Sequence, residues 1–165
     1  MNLLKFLVKH FIKNSTQKYD LISMDIAGPF QMQVALLYSE EFYRLVYEKL
    51  SERGVLALCL NGDLMMGSST PSRIMKTLQG VFPEYFVIAP LDDSGFVYAG
   101  KKLPFTREVL LSALKQKKYS RTKVYDAGDV AEEMEHNDCA KISLAHMDIV
   151  LKRGWARMLY HYFDD

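Results

Sequence analysis

A carboxylate that closes a buried strand is a candidate proton acceptor. The sequence offers one at Asp25, where the apolar run of YDLISMD stops. Such a group attracts cations and can take a proton from an attacking nucleophile. The plainer alternative is a solvated acid that ends a strand. Asp63 follows a second apolar run, VLALCL, and falls on the rim where parallel sheets bind ligands. Asp92 and Asp93 stand in DDSG and read as turn residues. His136, Asp138, Cys139, His146 and Asp148 are metal-ligand types close together in sequence. They have neither the Cys-x-x-Cys nor the His-Glu-x-x-His spacing of a zinc site, so helix-surface residues are expected and no metal. No Gly-x-Ser-x-Gly elbow is present, and neither cysteine has a histidine arrangement that would make it a nucleophile. Cys59 reads as a small core residue.

The elements that must position Asp25 follow from periodicity. The stretch MNLLKFLVKHFIKN has an apolar helical face (Leu3, Leu4, Leu7, Phe11) and reads as a core helix rather than a membrane-surface or targeting segment. YDLISMD then reads as a strand buried on both faces. Ser39 followed by Glu40 and Glu41 is a helix start: a cap, then acids at the positive end of the dipole. Phe42, Leu45, Val46 and Leu50 continue at helical spacing, with Gly54 expected as the C-terminal cap. VLALCL is a second strand. Thr70-Pro71 opens another helix with Ile74, Met75, Leu78 and Val81 on its apolar face, and Pro83 ends it. YFVIAP and FVYAG, joined by DDSG, form an antiparallel hairpin. A helix is expected from Thr106 to Lys118, then a polar segment, YSRTKVYDAGDVAEEMEHND. An apolar-rich stretch from Ala140 to Phe163 comes last. The expected fold class is α/β: a mostly parallel, partial Rossmann-like sheet with a terminal antiparallel hairpin and helices toward the C-terminus.

Bulk composition narrows the functional class. With 165 residues and 49% apolar content, the chain is long enough for one domain with a real core. A net charge of +1 argues against a general nucleic-acid binder. The basic run KQKKYSRTK is followed by acidic residues and reads as a solvated helix end. Two cysteines are too few for a disulfide framework, which favours a reducing cytoplasm. No apolar run is long enough for a membrane span. The aromatic WARMLYHYF reads as core or subunit-interface packing.

Several motifs taken together resemble the spermidine synthase (polyamine aminopropyltransferase) family, within the class I S-adenosylmethionine-dependent methyltransferase-like fold. KYDLISMDI and LLYSEEFYRLVYEKLSERGVLAL resemble its strand and "EFY" helix with matching separation, and GFVYAGKKLPF resembles its closing strand. The resemblance runs from about Lys5 to Phe105 and covers the C-terminal half of the fold. It implies residues 1–105 as a half-sheet with helices, and 106–165 as a helical extension on the same domain. It implies aminopropyl transfer from decarboxylated S-adenosylmethionine to a diamine, with that sulfonium as co-substrate and no tightly bound cofactor. Asp25 occupies the place of the acid that binds and deprotonates the amine. Gln33 and Tyr38 fall in the substrate loop, and Tyr125 in the place of a later substrate-contacting tyrosine. The family's second acid, three residues on, is Gly28 here. The nine glycines form no G-x-G-x-x-G turn, so the half that binds the nucleoside lies outside the resemblance and the chain is expected to be incomplete or inactive alone. The alternatives are a non-catalytic oligomeric interaction module or a methyltransferase relative. Without that half, the outer edge of Tyr19–Asp25 is open. A homo-oligomer or a partner chain is expected to cover it, with a small polyamine as ligand and neither nucleic acid nor membrane as partner.

Overall fold

The computed structural model describes residues 10–29, 31–60, 69–90, 95–119, 122–134, 139–145 and 150. Five strands form one mixed sheet in the order β1-β2-β4-β3-β5: β1 (Tyr19–Met24), β2 (Leu50–Cys59), β3 (Glu84–Pro90), β4 (Phe96–Gly100) and β5 (Thr122–Tyr125). The helices are α1 (Met32–Ala35, continued by a 3-10 turn, Leu36–Tyr38), α2 (Glu40–Lys49), α3 (Ser69–Gln79), α4 (Arg107–Gln116) and α5 (Ala127–Met134). β1 and β2 are parallel, joined by a crossover through α2. The hairpin strand β4 inserts between β2 and β3 and runs antiparallel to both. β1, β2 and β3 therefore share one direction, although only β1 and β2 are direct parallel neighbours.

One face of the sheet carries the core. Ser39 caps α2, its hydroxyl accepting from the Phe42 amide at 3.3 Å, and Glu40 and Glu41 follow in the first turn as expected. That start turns Phe42, Tyr43 and Val46 inward, where α3 presents Ile74, Met75 and Leu78, all fully buried. Leu56, Leu58, Val87, Val97 and Ala99 supply the sheet side of the same core. Burying a large apolar side chain of this kind contributes about 1.5–3 kcal/mol.

Four local expectations change. Gly54 does not cap α2, which ends with Leu50 as its C-cap; it lies inside β2. There the β1 register advances from Tyr19↔Leu50 to Leu21↔Val55, an irregularity that holds three more residues on β2 than on β1. A Cβ at Gly54 would stand 2.6 Å from the Tyr19 carbonyl oxygen, a backbone atom, so only glycine passes this point. β1 is not buried on both faces: Asp20, Leu21 and Ser23 are exposed, because the strand is the last in its sheet. In the described helical residues 10–14, Phe11 faces solvent and Ile12 is buried, so Phe11 is not on the buried side there. Finally, the polar segment after α4 contains β5, which pairs antiparallel with β3 and places residues beyond Phe105 in the same sheet. Leu3, Leu4, Leu7, Asp63, Asp92, Asp93 and the WARMLYHYF stretch lie outside the described residues.

Two devices hold the C-terminal elements. Residues 139–145 form a strap over α2 and α3. The Glu40 amide donates to the Ile142 carbonyl at 2.8 Å, and the Ile142 amide donates to Thr77 Oγ1 at 2.8 Å. Arg73 Nε donates to the Ala140 carbonyl at 3.0 Å, and the Leu144 amide donates to the Glu41 carboxylate at 3.1 Å. The second device is a reciprocal cap on α5. Asp126 Oδ1 accepts from the Gly128 and Asp129 amides, while Asp129 Oδ2 accepts from the Asp126 amide. Arg107 bridges both carboxylates at 3.0 Å, tying the start of α4 to the start of α5.

The backbone hydrogen bond from Asp129, with that from Gly128 and the Arg107 charge, holds the Asp126 carboxyl below its ordinary value. A folded-state value below the unfolded one contributes stability above the ordinary aspartate range, and loses it as pH falls through the depressed value. Asp126→Ala is therefore expected to cost about 1 kcal/mol at neutral pH. The difference from wild type should shrink once pH falls below about 4. Urea titrations of both proteins at neutral and acidic pH measure it; a gap that does not change with pH would remove the cap's charge from the argument.

Candidate functional site

Asp25 follows the last residue of β1 and is exposed. It lies on the rim of a cleft of about 270 Å³ lined by Ser23, Met24, Asp25, Ala57, Leu58, Cys59, Phe96, Val97 and Tyr98. The pleat explains this set. Ser23 pairs with Ala57 and Ala57 with Tyr98, one row on the sheet face opposite the core; Cys59 and Phe96 make the next row toward the carboxyl end of β2. Ala57 and Cys59 are small, so the middle of the sheet lies low between the β1 rim and the aromatic residues of β4. The core-side helices leave this face open here: Leu21 is 62% and Phe96 50% exposed. Phe105 covers it farther along, packing edge-on against Tyr98 at 5.8 Å and tilted against Phe86 at 6.3 Å. The cleft has a carboxylate at its β1 side and two aromatic residues on β4, two strand spacings away, about 10 Å at 4.8 Å each; the carboxylate suits an alkylammonium group through its charge.

The other sequence candidates fall in different places. Gln33 is exposed on α1, in the segment that follows the Asp25 loop. Tyr38 is fully buried, and its hydroxyl donates to the Ile26 carbonyl at 3.2 Å and the Ala27 carbonyl at 3.4 Å. It braces the backbone immediately after Asp25 from inside. Tyr125 ends β5, at the far edge of the sheet from β1. Its row runs Tyr125–Val87–Val97–Leu58–Met24, on the core face and four strand spacings across, about 19 Å at 4.8 Å each. It does not join Asp25. Gly28 is buried, with no acid at the position three residues after Asp25. Among the described residues no group of three His, Cys, Asp or Glu is placed to hold a metal; His136, Asp138, His146 and Asp148 lie outside them. Sequence reading missed Phe96, Tyr98, Ala57 and Cys59 as cleft residues. Their signal was strand alternation on β2 and β4, legible only once the pairing is known.

The strand order and the inserted antiparallel hairpin define a methyltransferase-like α/β fold. Solved structures share it. A probable spermidine synthase from Corynebacterium glutamicum superposes with a TM-score of 0.63 at 16% identity, over 81% of this chain and 51% of that one. A spermidine synthase in complex with the transition state analogue AdoDATO gives 0.51 at 20% identity, over 76% and 44%. At these identities the shared property is the fold. Residues 3–98 match the family described as Spermine/spermidine synthase domain, and the chain belongs to that family. A polyamine aminopropyltransferase from Saccharolobus solfataricus is 33% identical over 103 residues, 54% of this chain and 32% of the relative. Polyamine aminopropyltransferase 2 from Aquifex aeolicus is 28% identical over 97 residues, 56% of this chain and 20% of the relative. The chain thus spans about half the length of the solved relatives and a third or less of the curated ones.

Proposed function

We propose that this chain carries the amine side of an aminopropyl-transfer site. Asp25 binds a diamine in the cleft and accepts the proton that its ammonium must lose. The freed nitrogen lone pair attacks the methylene carbon beside the sulfonium of decarboxylated S-adenosylmethionine. The new C–N bond forms as the C–S bond breaks, and the electron pair leaves with sulfur as a neutral thioether, 5′-methylthioadenosine. The observation that carries this reading is Asp25 at the end of β1, lining one cleft with Phe96 and Tyr98. Membership of the family supports the chemistry. Gly28 in place of a second acid supports weak amine binding, and low activity for this chain on its own. A chain with two cysteines, too few for a disulfide framework, supports action in the reducing cytoplasm.

Calorimetric titration with 5′-methylthioadenosine and then putrescine tests the proposal. Putrescine binding that saturates and tightens once the nucleoside is present is the expected result. A folded protein that binds neither ligand would leave a half-fold without transferase function, and the interaction-module reading would take its place.

A further inference from the structure

We infer that the cleft at Asp25 selects amines with a single charged end, primary monoamines with an apolar tail, over diamines of the same length. The inference deepens the amine-site reading and rests on it. Of the nine described residues that line the cleft, Asp25 alone carries a formal charge. The loop after it, Ile26 to Pro29, holds no acid, and Gly28 there is buried. The other acids of the five strands are Asp20, Glu52 and Glu84, toward the amino ends of β1, β2 and β3. Asp20 stands about 16 Å from Asp25 along the strand, at 3.3 Å per residue. It already accepts from the Ser51 hydroxyl at 2.6 Å, and Glu84 accepts from the Leu103 amide at 2.7 Å. Among the described residues, a second ammonium in the cleft therefore meets no second carboxylate.

Beyond Asp25 the cleft is mostly apolar. Ala57 and Cys59 form its low floor, and Phe96 and Tyr98 bound it on β4. An amine that sets its ammonium on Asp25 carries its chain over that floor toward β4. An apolar tail gains there, because it leaves water for carbon surface. A second ammonium gives up part of its hydration with no counter-charge in return. The rings do not offset that loss. Tyr98 packs edge-on against Phe105 at 5.8 Å, and Phe96 is 50% exposed. Attraction of a cation to such rings is that of an exposed site, the weak end of its range. Burial of the tail decides the order. A diamine still reaches Asp25 by one end and the transfer step is the same, but the monoamine is held more tightly.

n-Pentylamine and putrescine have the same length and differ in one group, a methyl in place of the second ammonium. Calorimetric titration of each into the whole chain, at one fixed concentration of 5′-methylthioadenosine, tests the inference. n-Pentylamine is expected to bind about tenfold more tightly. Equal affinity, or tighter putrescine, would overturn the inference and leave the amine site standing. A folded protein that takes up neither amine would overturn the amine-site reading, and this inference with it. Ala57→Asp supplies the reverse test, since it sets a carboxylate in the middle of the floor. Its expected result is a reversed order, with putrescine bound about tenfold more tightly than n-pentylamine. A variant that a thermal melt shows to be folded, yet that still prefers n-pentylamine, would overturn the path of the chain over this floor. If the variant does not fold, the wild-type titrations decide the matter alone.

Discussion

Phe82→Ala is expected to lower the free energy of unfolding by about 3–5 kcal/mol, the largest stability effect anticipated for a single substitution here. Phe82 follows α3 and is 1% exposed. Its ring meets Tyr43 edge-on, with centroids 6.4 Å apart at 69°, and Tyr47 at 5.6 Å and 68°. Both tyrosines belong to α2, so this ring joins the two core helices. Truncation leaves a cavity between rigid rings that cannot collapse onto it, and it removes two aromatic pairings worth about 0.5–1.5 kcal/mol each. Phe96→Ala is the control. That ring is half exposed on the open face, and its loss is expected to change stability by less than about 1 kcal/mol. Urea denaturation with an unchanged m-value measures both. Equal effects would mean that the open face, not the helix side, carries the core.

The second large effect is functional. Asp25→Asn keeps the shape of the side chain and removes its charge and basicity. It is expected to weaken putrescine binding at least tenfold and to slow aminopropyl transfer by about 10²–10⁴, the usual contribution of a positioned proton acceptor. Stability should hold to within about 0.5 kcal/mol, since Asp25 is exposed. Tyr38→Phe supplies the contrast. It removes the hydroxyl that bonds the Ile26 and Ala27 carbonyls, so it is expected to act by loosening the loop after Asp25. A smaller loss, recovered in part at lower temperature, fits that role. Unchanged diamine affinity in Asp25→Asn would dismiss the carboxylate as the amine-binding group.

Much of the fold was legible because local chemistry and tertiary structure agree. Ser39 with Glu40 and Glu41 announced α2, and Ile74, Met75 and Leu78 announced the buried face of α3. The hairpin β3–β4 followed from two apolar runs around DDSG. What misled was context. Gly54 has the look of a helix cap, but the β1 carbonyl that forbids a side chain there is 35 residues away in sequence. The four residues of β5 lie in a polar stretch, and only pairing with β3 makes them a strand. YDLISM reads as a doubly buried strand because its composition is that of an interior strand, while its position leaves it at the edge. The site was legible to the same degree. Asp25 was visible as an acid after an apolar run; the aromatic residues that share its cleft were not, since sheet order brings Phe96 and Tyr98 to it from a hairpin about 70 residues later.

The strap over α2 sets an order of events during synthesis. The Glu40 amide finds its acceptor on Ile142, and the Glu41 carboxylate its donor on Leu144, 103 residues further along. A nascent chain ending before the strap therefore carries α2 with its first turn unfinished, however completely its strands have been made. The helix that links β1 to β2 is closed by a segment the ribosome supplies only after all five strands, so premature termination between β5 and the strap would yield a sheet whose first crossover is left unlatched.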